Sequence, residues 1–221
     1  MKIGKLIAFE GPDCAGKSSI INILKTTMTL PIIYNEEFCF TREPGSKFGE
    51  DNEPEKIRTE VLTNPNLTVK EQAELFAKAR YLHTLDIIKA LKEGKNVITD
   101  RYLFSSIIYQ GIHLGFEEVL RINEKTLQLL EDNNIKVNTI AFQISEETYN
   151  KRMNTRETMD ALEDVNKREI LDRIDYFNNI KKYNIDSVLS DNVYTVDANK
   201  NISDTYTNTL NIINEILKEE K

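Results

Sequence analysis

Gly11-Pro12-Asp13-Cys14-Ala15-Gly16-Lys17-Ser18 fits G-x-x-x-x-G-K-[ST] at every fixed position, and each fixed position has a physical task. Glycines at 11 and 16 permit backbone angles and close approaches that a Cβ would block. Successive N–H groups then turn inward as an anion-binding nest, and the helix that follows adds its positive N-terminal end. Lys17 is placed to reach the β- and γ-phosphates of a nucleotide, and Ser18 to offer its hydroxyl to Mg²⁺. The residues from Gly11 to Ser19, Ala15 and Cys14 included, are the expected contacts to that nucleotide. Cys14 reads as a small loop filler, with a reactive thiol at a helix start as the alternative.

Other groups of the right chemistry fall where strands are expected to end. Thr41-Arg42-Glu43-Pro44-Gly45 reads as a loop, because Pro44 disfavours helix at Glu43 and Gly45 permits a sharp turn. Arg42 there either clamps a phosphate bidentately or is a solvated turn residue. Asp100, after the apolar run Asn96–Thr99, can hold Mg²⁺ directly or through water, and Arg101 can bind phosphate. A solvent-exposed pair capping the next helix is the other reading. Phe76 and Arg80 stand four apart and share a helix face. They either stack on a base and hydrogen-bond its edge, or are a core ring and a surface cation. Ser105, Ser106, Tyr109 and Gln110 follow Asp100 on one helix and either line an acceptor pocket or decorate its surface. Lys151, Arg152 and Arg156 precede the acidic Asp160, Glu163 and Asp164. A solvated charge run and a basic lid over phosphates are both open there.

The elements that must carry these groups alternate along the chain. Strands are expected near 4–10, within 31–41, and at 95–99, 137–143 and 193–197. Helices are expected near 17–28, 53–64, 69–93, 103–113, 116–133, from 145, up to about 184, and over 202–219. Strands separated by helices predict an α/β fold: about five parallel strands with helices on both faces, a three-layer α/β/α architecture. Ligands in such sheets bind beyond the carboxyl ends of the strands, where the candidate residues fall. A length of 221 residues fits one domain, 1–221, and neither a repeat nor a Pro/Gly/Ser-rich linker interrupts it.

The formal charge of −7 argues against a general nucleic-acid binder. Apolar runs are too short for a membrane helix, and the chain opens on its first strand without a cleavable signal. Two cysteines, Cys14 and Cys39, are too few for a disulfide framework or zinc cluster, so a reducing cytoplasm is expected.

Taken together, Phe9-Glu10-Gly11-x-Asp13-x-Ala15-Gly16-Lys17-Ser18, Thr41–Gly45, and Asp100-Arg101-Tyr102 followed by Ser105 and Tyr109-Gln110-Gly111 resemble the thymidylate kinases, P-loop nucleoside monophosphate kinases, over nearly the whole chain. The resemblance implies ATP as phosphoryl donor, Mg²⁺ as cofactor, dTMP as acceptor and a homodimer. It implies that Lys17 and Ser18 bind ATP phosphates and Mg²⁺, with Asp100 beside the metal. Asp13 would sit by the acceptor sugar and phosphate, while Arg42 and Arg101 would hold the dTMP phosphate. Phe76 would stack on thymine, Arg80 would contact its O4, Ser106 would lie near its N3 edge, and Tyr109 would crowd C2′; Ser105 and Gln110 complete the acceptor pocket. Some relatives carry a catalytic arginine where this chain has Cys14, and others supply it from the lid. Cys14 places the chain with the second group, so Arg152 and Arg156 are the catalytic candidates in a lid over about 152–168. A longer lid that includes Arg168-Glu169 is the alternative, because Ala161 follows Asp160 and breaks the family pattern there.

That chemistry is charge neutralisation and in-line positioning of two polyanions, needing no strong base. Two alternatives remain at this stage: a kinase for another deoxynucleoside monophosphate or a deoxynucleoside, and a non-catalytic nucleotide-binding protein.

Overall fold

The computed structural model describes residues 3–28, 38–45, 53–155, 166–182 and 187–218. Its five strands are β1 (Leu6–Glu10), β2 (Phe38–Arg42), β3 (Asn96–Asp100), β4 (Val137–Gln143) and β5 (Val193–Asp197). They form one parallel sheet in the order β2-β3-β1-β4-β5. Phe9 and Arg42 both pair in register with Asp100, so β1, β2 and β3 end side by side. The sheet is the α/β arrangement expected from the alternation of strand and helix patterns.

Successive side chains on a strand point to opposite faces, and β1 is buried along its whole length. Leu6 and Ala8 join one core with Val97, Val137 and residues of α3 (Val69–Lys92), α4 (Leu103–Tyr109), α6 (Phe116–Ile122) and α7 (Glu124–Asp132). Ile7 and Phe9 join the other, with Ile98, Ile140, Phe142 and residues of α1 (Lys17–Met28), α8 (Glu146–Met153) and α11 (Ile202–Lys218). Helices thus cover both faces. α2 (Glu53–Thr63) packs on α3 around a smaller core of Ile57, Val61, Phe76 and Ala79. A capping box opens α3: Glu71 N donates to Thr68 Oγ1 at 3.2 Å and Thr68 N to Glu71 Oε2 at 2.8 Å.

Three expected helices are shorter or broken. The helix expected over 103–113 divides at Gln110 into α4 and α5 (Gly111–Leu114), and α5 stops at Gly115, whose φ of +85° only glycine adopts readily. The one expected over 116–133 divides at Asn123, whose side-chain amide bonds back to Val119 O at 2.8 Å. The helix expected to run to 184 is α9 (Lys167–Asn178), ended where the Asn178 side chain bonds both main-chain groups of Ile144, at 3.1 and 2.8 Å. The short α10 (Ser187–Ser190) precedes β5. Residues 31–37 of the expected second strand, and Arg156, Asp160, Glu163 and Asp164 of the expected lid, lie outside the described residues. No helix among the described residues is long and apolar enough to cross a membrane.

Candidate active site

The loop after β1 is shaped by what a larger residue would strike. A Cβ on Gly11, which has φ +150°, would lie 2.7 Å from Phe142 O on β4. Lys17 opens α1 and curls back, donating through Nζ to Gly11 O at 2.9 Å and Pro12 O at 2.8 Å. Burial, with the neighbouring Arg101 charge, pushes its ammonium down to about 8, against the pull of Asp100, Asp13 and Glu10. Ser18 Oγ donates to Asp100 Oδ2 at 2.7 Å, so the second helix residue meets the last residue of β3. Hydroxyl plus carboxylate is a donor set suited to Mg²⁺, which takes few protein ligands and keeps water and phosphate oxygens. No cluster of three or more His, Cys, Asp or Glu suited to a metal occurs among the described residues.

Arg101 holds a left-handed backbone, φ +69°, a strain of about 1 kcal/mol or more for a residue with a Cβ. The turn is secured by Glu10, a fully buried carboxylate. It accepts from Tyr102 N at 2.8 Å, Ser105 N at 3.2 Å and Ser105 Oγ at 2.5 Å. Burial raises the Glu10 carboxyl even against those bonds. The Arg101 guanidinium donates to Gly11 O at 2.9 Å, Ser105 Oγ at 3.1 Å and Tyr109 OH at 3.1 Å, and pairs with Asp13 Oδ1. Tyr109 OH donates to the other Asp13 oxygen at 2.6 Å. Burial favours the protonated form of Asp13, but Arg101 and Lys17 overcome it and hold the carboxyl below its ordinary range.

Arg80 is 2% exposed and held from three elements. Nη1 donates to Asn123 Oδ1 at 2.6 Å, Nη2 to Ser106 Oγ at 2.9 Å, and Nε lies 3.2 Å from Glu43 Oε2 as an ion contact rather than an aligned hydrogen bond. Glu43 Oε1 is 2.6 Å from His83 Nδ1, whose Nε2 is 2.9 Å from Thr41 Oγ1. Of five guanidinium N–H groups, one on each Nη has no acceptor among the described residues. Arg80 is therefore not the surface cation that spacing alone allowed.

These groups share one cavity of about 770 Å³. Asp13, Cys14, Ala15, Gly16, Lys17, Ser18 and Ser19 line it together with Arg42, Phe76, Arg80, Asp100, Arg101, Ser105, Ser106, Tyr109 and Gln110. Gly11 and Pro12 sit behind, as carbonyl acceptors for Lys17. Arg42 lines the cavity with its guanidinium on Glu55 of α2, Nη2 at 2.7 Å and Nε at 3.3 Å. Gln110 Oε1 is buried and has no hydrogen-bond partner among the described residues. Arg152 lines the cavity beside the phosphate loop, giving Nη1 to Cys14 O at 3.0 Å and Nη2 to Ala198 O at 2.6 Å. Arg168 is exposed and does not line the cavity.

A family model for thymidylate kinase matches residues 9–208. The chain is 37% identical over 220 residues to the thymidylate kinase of Mycoplasma mobile, covering 96% of this chain and 99% of that one. The chain belongs to the thymidylate kinase family. The thymidylate kinase of Bacillus velezensis is 32% identical over 227 residues, 98% of each chain, and that of Ligilactobacillus salivarius 28% over 223 residues, 97% and 99%.

Several residues of this cavity were not legible in the sequence. Arg58, which donates to Pro44 O at 3.2 Å, lines the cavity, as do Leu62, Ala198, Lys200, Ile202 and Thr205. None lies in a motif. Arg58 follows the apolar pattern of α2, and the residues after β5 reach the loop only because β5 lies two strands from β1.

Proposed function

We propose that the protein transfers the γ-phosphoryl group of ATP to dTMP, giving dTDP and ADP. One observation carries the reading: the phosphate loop, the Arg101 turn and the Phe76–Arg80 pair line a single cavity, on the scale of 300–1,000 Å³ usual for small-molecule sites.

Two polyanions must approach in line, so the protein's part is charge and position. ATP phosphates would take the place of the Gly11 and Pro12 carbonyls at Lys17 Nζ. Ser18 and Asp100 would hold Mg²⁺, which supplies charge neutralisation at the phosphates. Burial opposes the charge of Arg101, but Asp13, Asp100 and Glu10 outweigh it, so Arg101 stays a cation and would hold the acceptor phosphate between loop and pocket. Arg58 would add a second cation there; Arg42 would serve the phosphate on leaving Glu55. Arg152 would neutralise donor phosphates beside Cys14 O, with Arg156 as its lid partner.

On the acceptor side, the free N–H groups of Arg80 suit an acceptor such as thymine O4, and Gln110 Oε1 suits a donor such as N3–H. Phe76 would stack on the base. Tyr109, fixed on Asp13, would face C2′ of the sugar and disfavour a ribose hydroxyl. We place the protein in the cytoplasm as a homodimer, acting on small molecules rather than nucleic acid or membrane. Incubating it with ATP, Mg²⁺ and dTMP and separating the nucleotides tests the reading: dTDP and ADP should form in equal amounts. ADP without dTDP would refute it.

A further inference from the structure

Two guanidinium groups lie over the Tyr109 ring, Arg101 Cζ 5.0 Å from its centroid and Arg173 Cζ 4.2 Å. Arg101 reaches the large cavity; Arg173, on α9, does not line it. Arg173 is only 7% exposed, and a buried guanidinium is tolerated where its charge is paired and its face packed. Nη2 donates to Glu169 Oε1 one helical turn earlier, at 2.6 Å. His113 Nε2, on α5, reaches the same carboxylate oxygen at 3.1 Å. The anchor is thus tied to two elements, and the Arg173 guanidinium lies against the tyrosine face. Between Arg173, Tyr109, Asp13 and Pro12 the protein leaves a void of only about 10 Å³, room for about one water. Little space separates α9 from the back of the phosphate loop.

We infer that Arg173 is a positioning residue for the acceptor: it fixes the plane of the Tyr109 ring and adds its charge behind Asp13. The ring cannot tilt toward α9 without entering the guanidinium, so Tyr109 OH stays on Asp13 Oδ2 and its edge stays toward the acceptor. The charge balance agrees. Against burial, Arg173 joins Arg101 and Lys17 in keeping Asp13 ionised. The inference rests on the reading of Tyr109 as the residue that faces the acceptor sugar.

The test compares dTMP with 5-methyluridine 5′-monophosphate, which differ only in the 2′-hydroxyl, in wild type, Arg173→Lys and Arg173→Gln. Arg173→Gln should narrow the ratio of the two kcat/KM values by about 10-fold, the scale on which one group shapes a specificity pocket. The acceptor KM should rise while the ATP KM stays unchanged. Arg173→Lys, which keeps the charge and loses the planar stack, should recover part of the ratio. A fall in the amount of folded enzyme scales both rates alike and leaves their ratio unmoved, and Arg173→Lys serves if Arg173→Gln does not fold. An unchanged ratio in the folded variants overturns the inference while leaving the kinase reading intact. A wild type that makes no dTDP overturns both.

Discussion

Ser18 Oγ and Asp100 Oδ2 meet at 2.7 Å across 82 positions of sequence. The contact exists because β1 and β3 are neighbours in register, Phe9 opposite Asp100, and the loop after β1 doubles back over their ends. A hydroxyl and a carboxylate are thereby brought to one point at the mouth of the cavity.

If that pair holds Mg²⁺, the charge of Asp100 matters more than its shape. Asp100→Asn, which can still accept from Ser18, should lower kcat roughly 10²-fold, the usual scale for one lost electrostatic stabiliser. The half-saturating Mg²⁺ concentration should rise. A magnesium titration of dTDP formation checks this, and wild-type metal dependence in the variant would remove Asp100 from the metal site.

Lys17 carries a pH prediction whose sign can be worked out. Its folded-state value of about 8 lies below the ordinary 10.5, so the folded protein binds fewer protons than the unfolded chain between those values. From this group alone, stability therefore rises with pH across that window. Affinity for nucleotide phosphates runs the other way, because the ammonium is the binding form: constant well below 8 and falling above it. At pH 8, ATP binding should take up about half a proton, since a group at its own pKa is half protonated. Calorimetry in buffers of different ionisation heat measures the uptake, which Lys17→Ala should abolish together with all but about a tenth or less of kcat.

If Arg152 and Arg156 both serve the phosphates, as proposed, they should fail differently. Arg152 ties the last turn of α8 to Cys14 O and Ala198 O beside the phosphate loop, so Arg152→Ala should raise the ATP KM about 10-fold or more, as for lost hydrogen bonds from a charged group. Arg156→Ala should instead lower kcat by roughly 10²- to 10³-fold with dTMP affinity nearly unchanged. Steady-state kinetics varying each substrate separates them. Normal kcat in Arg156→Ala would move the catalytic role to Arg152 or Arg168.

What the sequence revealed depended on whether a residue's task was local. The phosphate loop is read within eight positions, and strand ends follow from apolar runs, so Lys17, Ser18, Asp100 and Arg101 could be placed before their contacts were known. Arg80 could not be placed from spacing, because its burial depends on Glu43, Ser106 and Asn123, which come from three distant segments; only the family resemblance pointed it at a base. Asn123 was also where a single helix was expected, and its side chain at the break between α6 and α7 serves Arg80. Arg173 lies in no motif of the sequence. Its partner Tyr109 lies 64 positions earlier, and periodicity does not report contacts of that kind.

If the cavity reads thymine, as proposed, Arg80 is its reader. Thymine presents O4 as an acceptor, where cytosine presents an amino donor, and Arg80 has only donors to offer. Facing a donor with a donor in a buried site costs roughly 1–3 kcal/mol, or about 5- to 150-fold in specificity. The direct measurement is kcat/KM for dTMP, dUMP, dCMP and dGMP in wild type and in Arg80→Ala. Wild type should prefer dTMP and dUMP over dCMP by that margin, and the variant should lose most of the preference. A wild type that prefers dCMP or a purine contradicts the thymidylate reading, and a variant that keeps the full preference removes Arg80 as the reader.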